Sequence, residues 1–263
     1  MNILDTIIAH KQKEVATAKQ QTTVASLEAM PLFLQIPLSL RSFLLDDSKT
    51  GIIAEFKRQS PSKGIINATA TVEEVTASYT LNGASGISVL TDTHFFGGSL
   101  QDLSVATANK IPLLRKDFMI DEFQFIEAKA YGASVILLIA ACLTPKRVQE
   151  LASFAHSIGL EVLLEIHNEE ELVHICDEVD FVGVNNRNLK TFEVNINASL
   201  QLIQQIPTNK LAIAESGISN TDTIVTLRNA GFKGFLIGET FMKEKQPSIA
   251  FANFVNQLKA KGV

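Results

Sequence analysis

Cysteine is scarce in this 263-residue chain, with only Cys142 and Cys176 present. Both lie in apolar segments, without CxxC spacing and with no secretory signal ahead of them. They therefore read as reduced core residues rather than a disulfide or metal ligands. The five histidines include no HExxH pair, so no metal site is visible. Long apolar runs are also missing. The longest, Val135 to Leu143, is well short of the roughly 18 residues a membrane helix needs. The N-terminus, MNILDTIIAHKQKEV, alternates apolar and charged residues and has no continuous apolar signal core. These absences point to a cytoplasmic protein with no membrane partner. No basic block occurs, and a net charge of −5 with the two signs mixed argues against nucleic acid. A small anionic ligand stays open, because local charge decides that. No nucleotide fingerprint is present either.

What is present is apolar: 46% of residues are hydrophobic, enough for a sizeable core in one barrel or two smaller domains. Short β-type runs recur near Gly51–Phe56, Gly86–Thr91, Pro112–Leu114, Ser134–Ile139, Leu160–Glu165, Asp180–Val184, Leu211–Ala214 and Gly234–Ile237. They are rich in Ile, Val and Leu and almost continuously apolar, as parallel strands covered on both faces are. Helical segments fill the intervals. Thr144 with Pro145, Asp121, and Asn220 or Thr221 mark helix starts. Eight successive βα units at this length predict an α/β fold, a single (β/α)8 TIM barrel, more than an open doubly wound sheet. Residues 1–48 precede the first strand and read as an N-terminal helical extension of one or two helices, broken at Met30-Pro31 and Ile36-Pro37. No linker interrupts the chain, so one domain is expected.

In such a barrel, catalytic groups sit at the C-terminal ends of the strands. Glu55 and Lys57 are two apart and share a face of the first strand. They form either a reactive pair or a buried ion pair that fills the barrel top. After the third strand come Arg115 and Lys116, of which only one can face inward; a solvated basic turn is the alternative. The fifth ends in Glu165 and His167. The sixth runs into Asn185-Asn186-Arg187-Asn188. Asn185 and Arg187 share a face there, while Asn186 and Asn188 suit left-handed turn positions. Strands seven and eight end in Ser216-Gly217 and Gly238-Glu239, where barrels commonly bind a phosphate through backbone N–H groups. Glycine is also what any turn needs. The sum is a phosphate site, an arginine, two lysines and two carboxylates at one barrel mouth, which suggests acid–base chemistry on a sugar phosphate without naming a reaction.

The segments IIAEFKRQSPSKG, SVLTDTHFFGGS, LLRKDFMIDEFQ, EVLLEIHNEEEL, GVNNRNLKTFEVN, AESGI and FLIGETFMK resemble, in order, the signatures of the indole-3-glycerol-phosphate synthase family. ILDTIIAHKQKEV is similar to that family's N-terminal helix, and the resemblance runs from about residue 3 to 243. Arg58-Gln59, in place of a more usual Lys-Ala, and Gly97-Gly98 are mild departures. The resemblance implies a carboxy-lyase of tryptophan biosynthesis that needs no cofactor. Its substrate would be 1-(2-carboxyphenylamino)-1-deoxyribulose 5-phosphate, which loses carbon dioxide and water to give indole-3-glycerol phosphate.

The resemblance also implies roles. Lys116 is the general acid, its pKa lowered by burial or by the nearby cations Lys57 and Arg187. Glu165 is the base for dehydration. Glu55 orients the lysines or assists proton transfer, and Lys57 holds the substrate carboxylate or phosphate. Asn185 fixes hydroxyls, and Arg187 binds an anionic or hydroxyl group. Ser60, Ser216, Gly217, Gly238 and Glu239 form the phosphate cradle, with the Glu239 side chain pointing away. Phe96, Phe118 and Leu138 wall the anthranilate ring or are ordinary barrel core. Two other readings stand beside this one. One is a different phosphate-binding barrel such as phosphoribosylanthranilate isomerase; the other is a barrel that binds a sugar phosphate without catalysis. A monomer fits the mixed acidic surface.

Overall fold

Short runs of β-branched and leucine residues become strands because each is buried on both faces. β1 (Ile52–Phe56), β2 (Gly86–Leu90), β3 (Leu113–Lys116), β4 (Val135–Ile139), β5 (Glu161–Ile166), β6 (Phe181–Asn185), β7 (Leu211–Glu215) and β8 (Gly234–Ile237) carry almost no exposed residue. The computed structural model describes residues 3–187 and 193–262. All eight strands pair in parallel with their sequence neighbours, and β8 closes on β1 through Ile53 opposite Leu236. The protein is therefore a closed (β/α)8 barrel, as the strand count predicts. β3 runs further than the sequence suggests, because Val89 and Leu90 of β2 pair with Arg115 and Lys116 and extend the ladder. A small antiparallel hairpin, Gln59–Ser60 with Gly64–Ile65, lies in the loop after β1 and was not foreseen.

Helix starts follow their caps. Asp121 accepts the Phe123 N–H and closes a capping box with Gln124. Thr144 caps a helix with Pro145 at its first position, and Asn220 caps the helix Thr221–Asn229.

Three helical segments precede β1: α1 (Ile3–Gln21), α2 (Val24–Glu28) and α3 (Leu40–Leu44). The break at Thr22-Thr23 was not read from sequence; Thr23 starts α2 by accepting the Ser26 N–H. α3 stops the lower end of the barrel. Its Leu40 and Leu44 join the inward-facing cluster of Ile53, Val135, Leu163, Phe181, Ile213 and Leu236. Burying each leucine contributes about 1.5–3 kcal/mol. Glu161, at the start of β5, holds α3 in place by accepting from Leu40 N (2.6 Å) and Ser39 Oγ (2.7 Å).

α1 covers the opposite end. Its Lys11 is fully buried, with Nζ 3.0 Å from Asp92 and 2.9 Å from Asp117, at the ends of β2 and β3. The two carboxylates outweigh the cost of burial and hold the Lys11 ammonium charged, above the usual lysine range.

Candidate active site

Strand alternation decides which side chains enter the barrel. Along β1, Ile53 and Glu55 face inward and Lys57 follows on the same face, while Ile52, Ala54 and Phe56 pack outward against the helices. The same period brings Lys116, Glu165, Asn185, Arg187 and Glu215 to one cavity of about 610 Å³ at the C-terminal strand ends. Ser60, Phe96, Phe118, Ser216, Gly217, Gly238 and Glu239 line it too, as do Ile3, Leu4 and Ile7 of α1.

One sequence expectation fails on this alternation. Leu138 is fully buried but faces the outer core, and its neighbours Leu137 and Ile139 line the cavity instead. A slip of one residue along a strand exchanges its two faces.

The centre of the site is an ammonium between two carboxylates. Lys116 Nζ lies 2.7 Å from Glu165 Oε2 and 3.1 Å from Glu215 Oε2. Asn185 Nδ2 donates to Glu165 Oε1 at 3.1 Å, and the Asn185 side-chain oxygen accepts the Arg187 N–H at 3.0 Å. Glu55, Glu165 and Glu215 are all buried. Arg115 turns the other way, into a buried network with Thr91, Asp117 and Glu127. Of the two adjacent cations, Lys116 is therefore the one that faces the cavity.

The electrostatics correct a second expectation. Burial pulls the Lys116 ammonium down, but the charges of Glu165, Glu215 and Glu55 overcome it, and the net shift is upward. Lys57 and Arg187 do not lower it because their charges are already met. Lys57 pairs with Glu55 at 2.7 Å, and Arg187 pairs with Glu239 at 3.2 Å. The two central carboxyls are driven apart. For Glu165, burial is outweighed by Lys116 and His167, and it stays well below the usual carboxylate range. For Glu215, burial and the Glu165 charge outweigh Lys116, and it rises. One of the Glu215 oxygens, Oε1, is buried with no hydrogen-bond partner, as suits a group near protonation.

Two glycines make room for these acids. A Cβ on Gly183 would stand 2.1 Å from Glu215 Oε1, and one on Gly238 would stand 2.5 Å from Glu55 Oε1. Gly238 thus accommodates a carboxylate as well as starting the short helix Glu239–Met242. Ser216 holds a left-handed backbone (φ 66°), a conformation that costs a non-glycine residue about 1–2 kcal/mol. Glu239 does not point away: it stands at the rim, drawn between Arg187 and Lys63, the latter 3.7 Å distant. Asn186 is not a left-handed turn residue. It is buried and donates to the Glu215 and Ser216 carbonyls, bracing β7. Asn188 lies outside the described residues.

The departures at Arg58-Gln59 and Gly97-Gly98 meet each other. Arg58 forks onto Asp102 at 2.6 and 2.9 Å, and Gln59 packs where a Cβ on Gly97 would sit. Cys142 and Cys176 are both free, and burial, with Glu165 and Glu171 nearby, pushes the Cys142 thiol up to about 12.

Sequence reasoning passed over Glu215, Lys63 and Lys11. Glu215 carries the same signal as Glu165, an acid closing an apolar strand, in front of the Ser216-Gly217 turn. Lys63 sits in the SPSKG loop, and nothing local marks it. Lys11 shows locally only an i,i+3 pairing with Glu14, an ordinary helix-surface pattern, because its two buried partners, Asp92 and Asp117, lie 81 and 106 residues away in sequence. Among the described residues, no group of three or more His, Cys, Asp or Glu side chains is arranged to hold a metal ion, and no helix is long and apolar enough to cross a membrane.

Solved barrels resemble the fold at low identity. The chain matches thiamine phosphate pyrophosphorylase from Pyrococcus furiosus with a TM-score of 0.58 and 14% identity, over 84% of this chain and 98% of that one. It matches a mutant tryptophan synthase α-subunit, also from Pyrococcus furiosus, with a TM-score of 0.59 and 16% identity, over 81% and 99%. These matches bear on the fold alone. Sequence relatives are nearer. An indole-3-glycerol phosphate synthase of Bacteroides thetaiotaomicron is 48% identical over 98% of this chain and 99% of its own length. One from Burkholderia vietnamiensis is 40% identical over 95% and 98%. The family model for indole-3-glycerol phosphate synthase matches residues 4–254. With a closed barrel, a charged cavity at its C-terminal mouth and relatives matched end to end, this chain belongs to the indole-3-glycerol phosphate synthase family, carboxy-lyases of tryptophan biosynthesis.

Proposed function

We propose that this chain closes the indole ring of 1-(2-carboxyphenylamino)-1-deoxyribulose 5-phosphate, releasing carbon dioxide and water. The observation that carries the residue assignment is Lys116 held between Glu165 and Glu215 at the floor of a cavity that is apolar on one side and cationic at its rim. The anthranilate ring packs among Ile7, Phe96, Phe118, Leu137 and Ile139. The phosphate lies toward Ser216, Gly217, Gly238 and the Glu239 N–H, with Ser60 and Lys63 beside it. Lys57 meets the substrate carboxylate or phosphate. Asn185 and Arg187 take the hydroxyls.

In the first step a ring carbon attacks the ketone carbon. A C–C bond forms, the ketone oxygen develops negative charge, and Lys116 protonates it. The carboxylate then leaves as carbon dioxide, and its bonding electrons restore the ring system. In the second step Glu165 removes a proton from the ring-closed species while Lys116, protonated again, donates one to the new hydroxyl, which departs as water. Glu215, the carboxyl pushed upward, holds a proton most readily and returns it to Lys116. Glu55 keeps Lys57 in place. The substrate's own nitrogen supplies the electron push, so this chemistry calls for no cofactor.

The assignment is tested by single-turnover kinetics on Glu165→Gln. The ring-closed, decarboxylated but still hydrated species should accumulate. Wild-type turnover without accumulation would remove Glu165 from the base role. We further propose that residues 1–263 form one domain acting as a cytoplasmic monomer. Sedimentation and the coincidence of unfolding transitions followed by different probes test the first and third of these points.

A further inference from the structure

His167 is a largely buried ionisable group that the proposed reaction leaves unused. It follows β5 directly, two residues after Glu165 and on the same face. Its ring stands between two carboxylates: Nε2 is 3.2 Å from Glu165 Oε1, and Nδ1 is 3.2 Å from Glu171 Oε2. The first contact is a charge pairing rather than an aligned hydrogen bond, since Nε2 has no partner in bonding geometry. A neutral imidazole has a lone pair on one nitrogen and would turn it toward an anion. Only the doubly protonated ring gives both carboxylates an N–H. Burial pulls the ring down, but Glu165 and Glu171 override that and push it up to about 10.

The surroundings fix the arrangement. Glu171 also accepts the His167 backbone N–H at 2.7 Å, and its own N–H is held by Asn168 at 3.2 Å. His174 ties the turn Glu169–His174 to Leu143, after β4. The charged or titratable groups facing the ring and its partners are Glu165, Glu171, Glu215, Lys116, His174 and the Cys142 thiol.

Glu165 is met by two side-chain cations and one amide donor, Lys116, His167 and Asn185, with the Glu215 carboxyl beside it. When Lys116 turns to the substrate oxygen, Glu165 loses its closest counter-charge while still needing to be an ionised base. We propose that His167, as an imidazolium clamped from behind by Glu171, is a positioning residue that keeps Glu165 ionised and aimed while Lys116 is engaged with substrate. This rests on the reading of Glu165 as the base.

The test is the kcat–pH profile of His167→Asn, which keeps a side-chain donor and removes the charge. Without the cation the Glu165 carboxyl protonates more easily. The acidic limb should therefore move up by about one pH unit, and the less well aimed carboxylate should lower the plateau kcat by about a few-fold with KM nearly unchanged. Glu171→Gln should move the limb the same way by less. A residue that only braces the turn would leave the limb in place, so an unmoved profile in folded His167→Asn overturns the proposal. Should that variant not fold, NMR titration of the wild-type ring decides. The ring should stay doubly protonated through pH 8, and a ring neutral at pH 7 overturns the proposal. Glu165→Gln separates the two readings: if it turns over normally, the base assignment fails; if it is inactive while His167→Asn keeps the wild-type profile, only the role of His167 fails.

Discussion

The two ends of this barrel are closed by the same N-terminal segment in opposite ways. At the lower end α3 inserts Leu40 and Leu44 into an apolar layer, with the half-buried Glu161 tying down its first turn. At the upper end α1 lies over a cavity and is tied by one buried lysine to Asp92 and Asp117. The lower closure is filled by leucine side chains and stabilises by burial. The upper one keeps about 610 Å³ open and surrounds it with charges whose burial is costly unless each is paired. The stability of the fold and its chemistry are therefore written at opposite ends of the same strands. β1 shows this within three residues, from the apolar Ile53 to Glu55.

That contrast can be broken at either end. Leu40→Ala should cost about 2–5 kcal/mol in urea unfolding while kcat/KM of the remaining folded enzyme stays near wild type. A large fall in kcat/KM would mean that the lower end is coupled to the chemistry. Lys116→Ala should do the reverse. Its kcat should drop by about two or more orders of magnitude, roughly 3 kcal/mol of transition-state stabilisation, with a smaller change in unfolding free energy.

A smaller effect concerns pH. The folded-state pKa of His167 lies above that of the unfolded chain. Its contribution is therefore complete below about 6.5 and is lost as pH rises through about 10. The stability gap between wild type and His167→Asn should narrow across that window; a gap independent of pH would contradict the charged ring. The smallest change is expected at the rim. Lys63 is largely exposed and only 3.7 Å from Glu239, so Lys63→Ala should raise KM by a few-fold, less at high salt, with kcat unaltered. A KM that does not move would place the phosphate away from the hairpin loop.

Much of this was legible in the sequence because it is local. Strand periodicity and caps depend on near neighbours, so the eight strands and the starts at Asp121, Thr144 and Asn220 could be read directly. Glu55, Lys57, Lys116, Glu165, Asn185 and Arg187 stand at strand ends, and the barrel closure then brings them together. Non-local effects were not legible. The face that Leu138 takes, ring wall or core, is not readable because a continuous run of apolar residues hides its own alternation. The pKa of Lys116 was expected to fall, but the position of Glu215 two strands beyond β5 and the pairing of Lys57 and Arg187 elsewhere reverse the field. Lys11 reads as one charge on an amphipathic helix until β2 and β3 bring two aspartates to it.

The most direct test of the whole account follows the ultraviolet signal of indole-3-glycerol phosphate during incubation of the purified protein with 1-(2-carboxyphenylamino)-1-deoxyribulose 5-phosphate. The account predicts saturable, catalytic product formation without added cofactor. Folded protein that binds the substrate yet releases no product would contradict it.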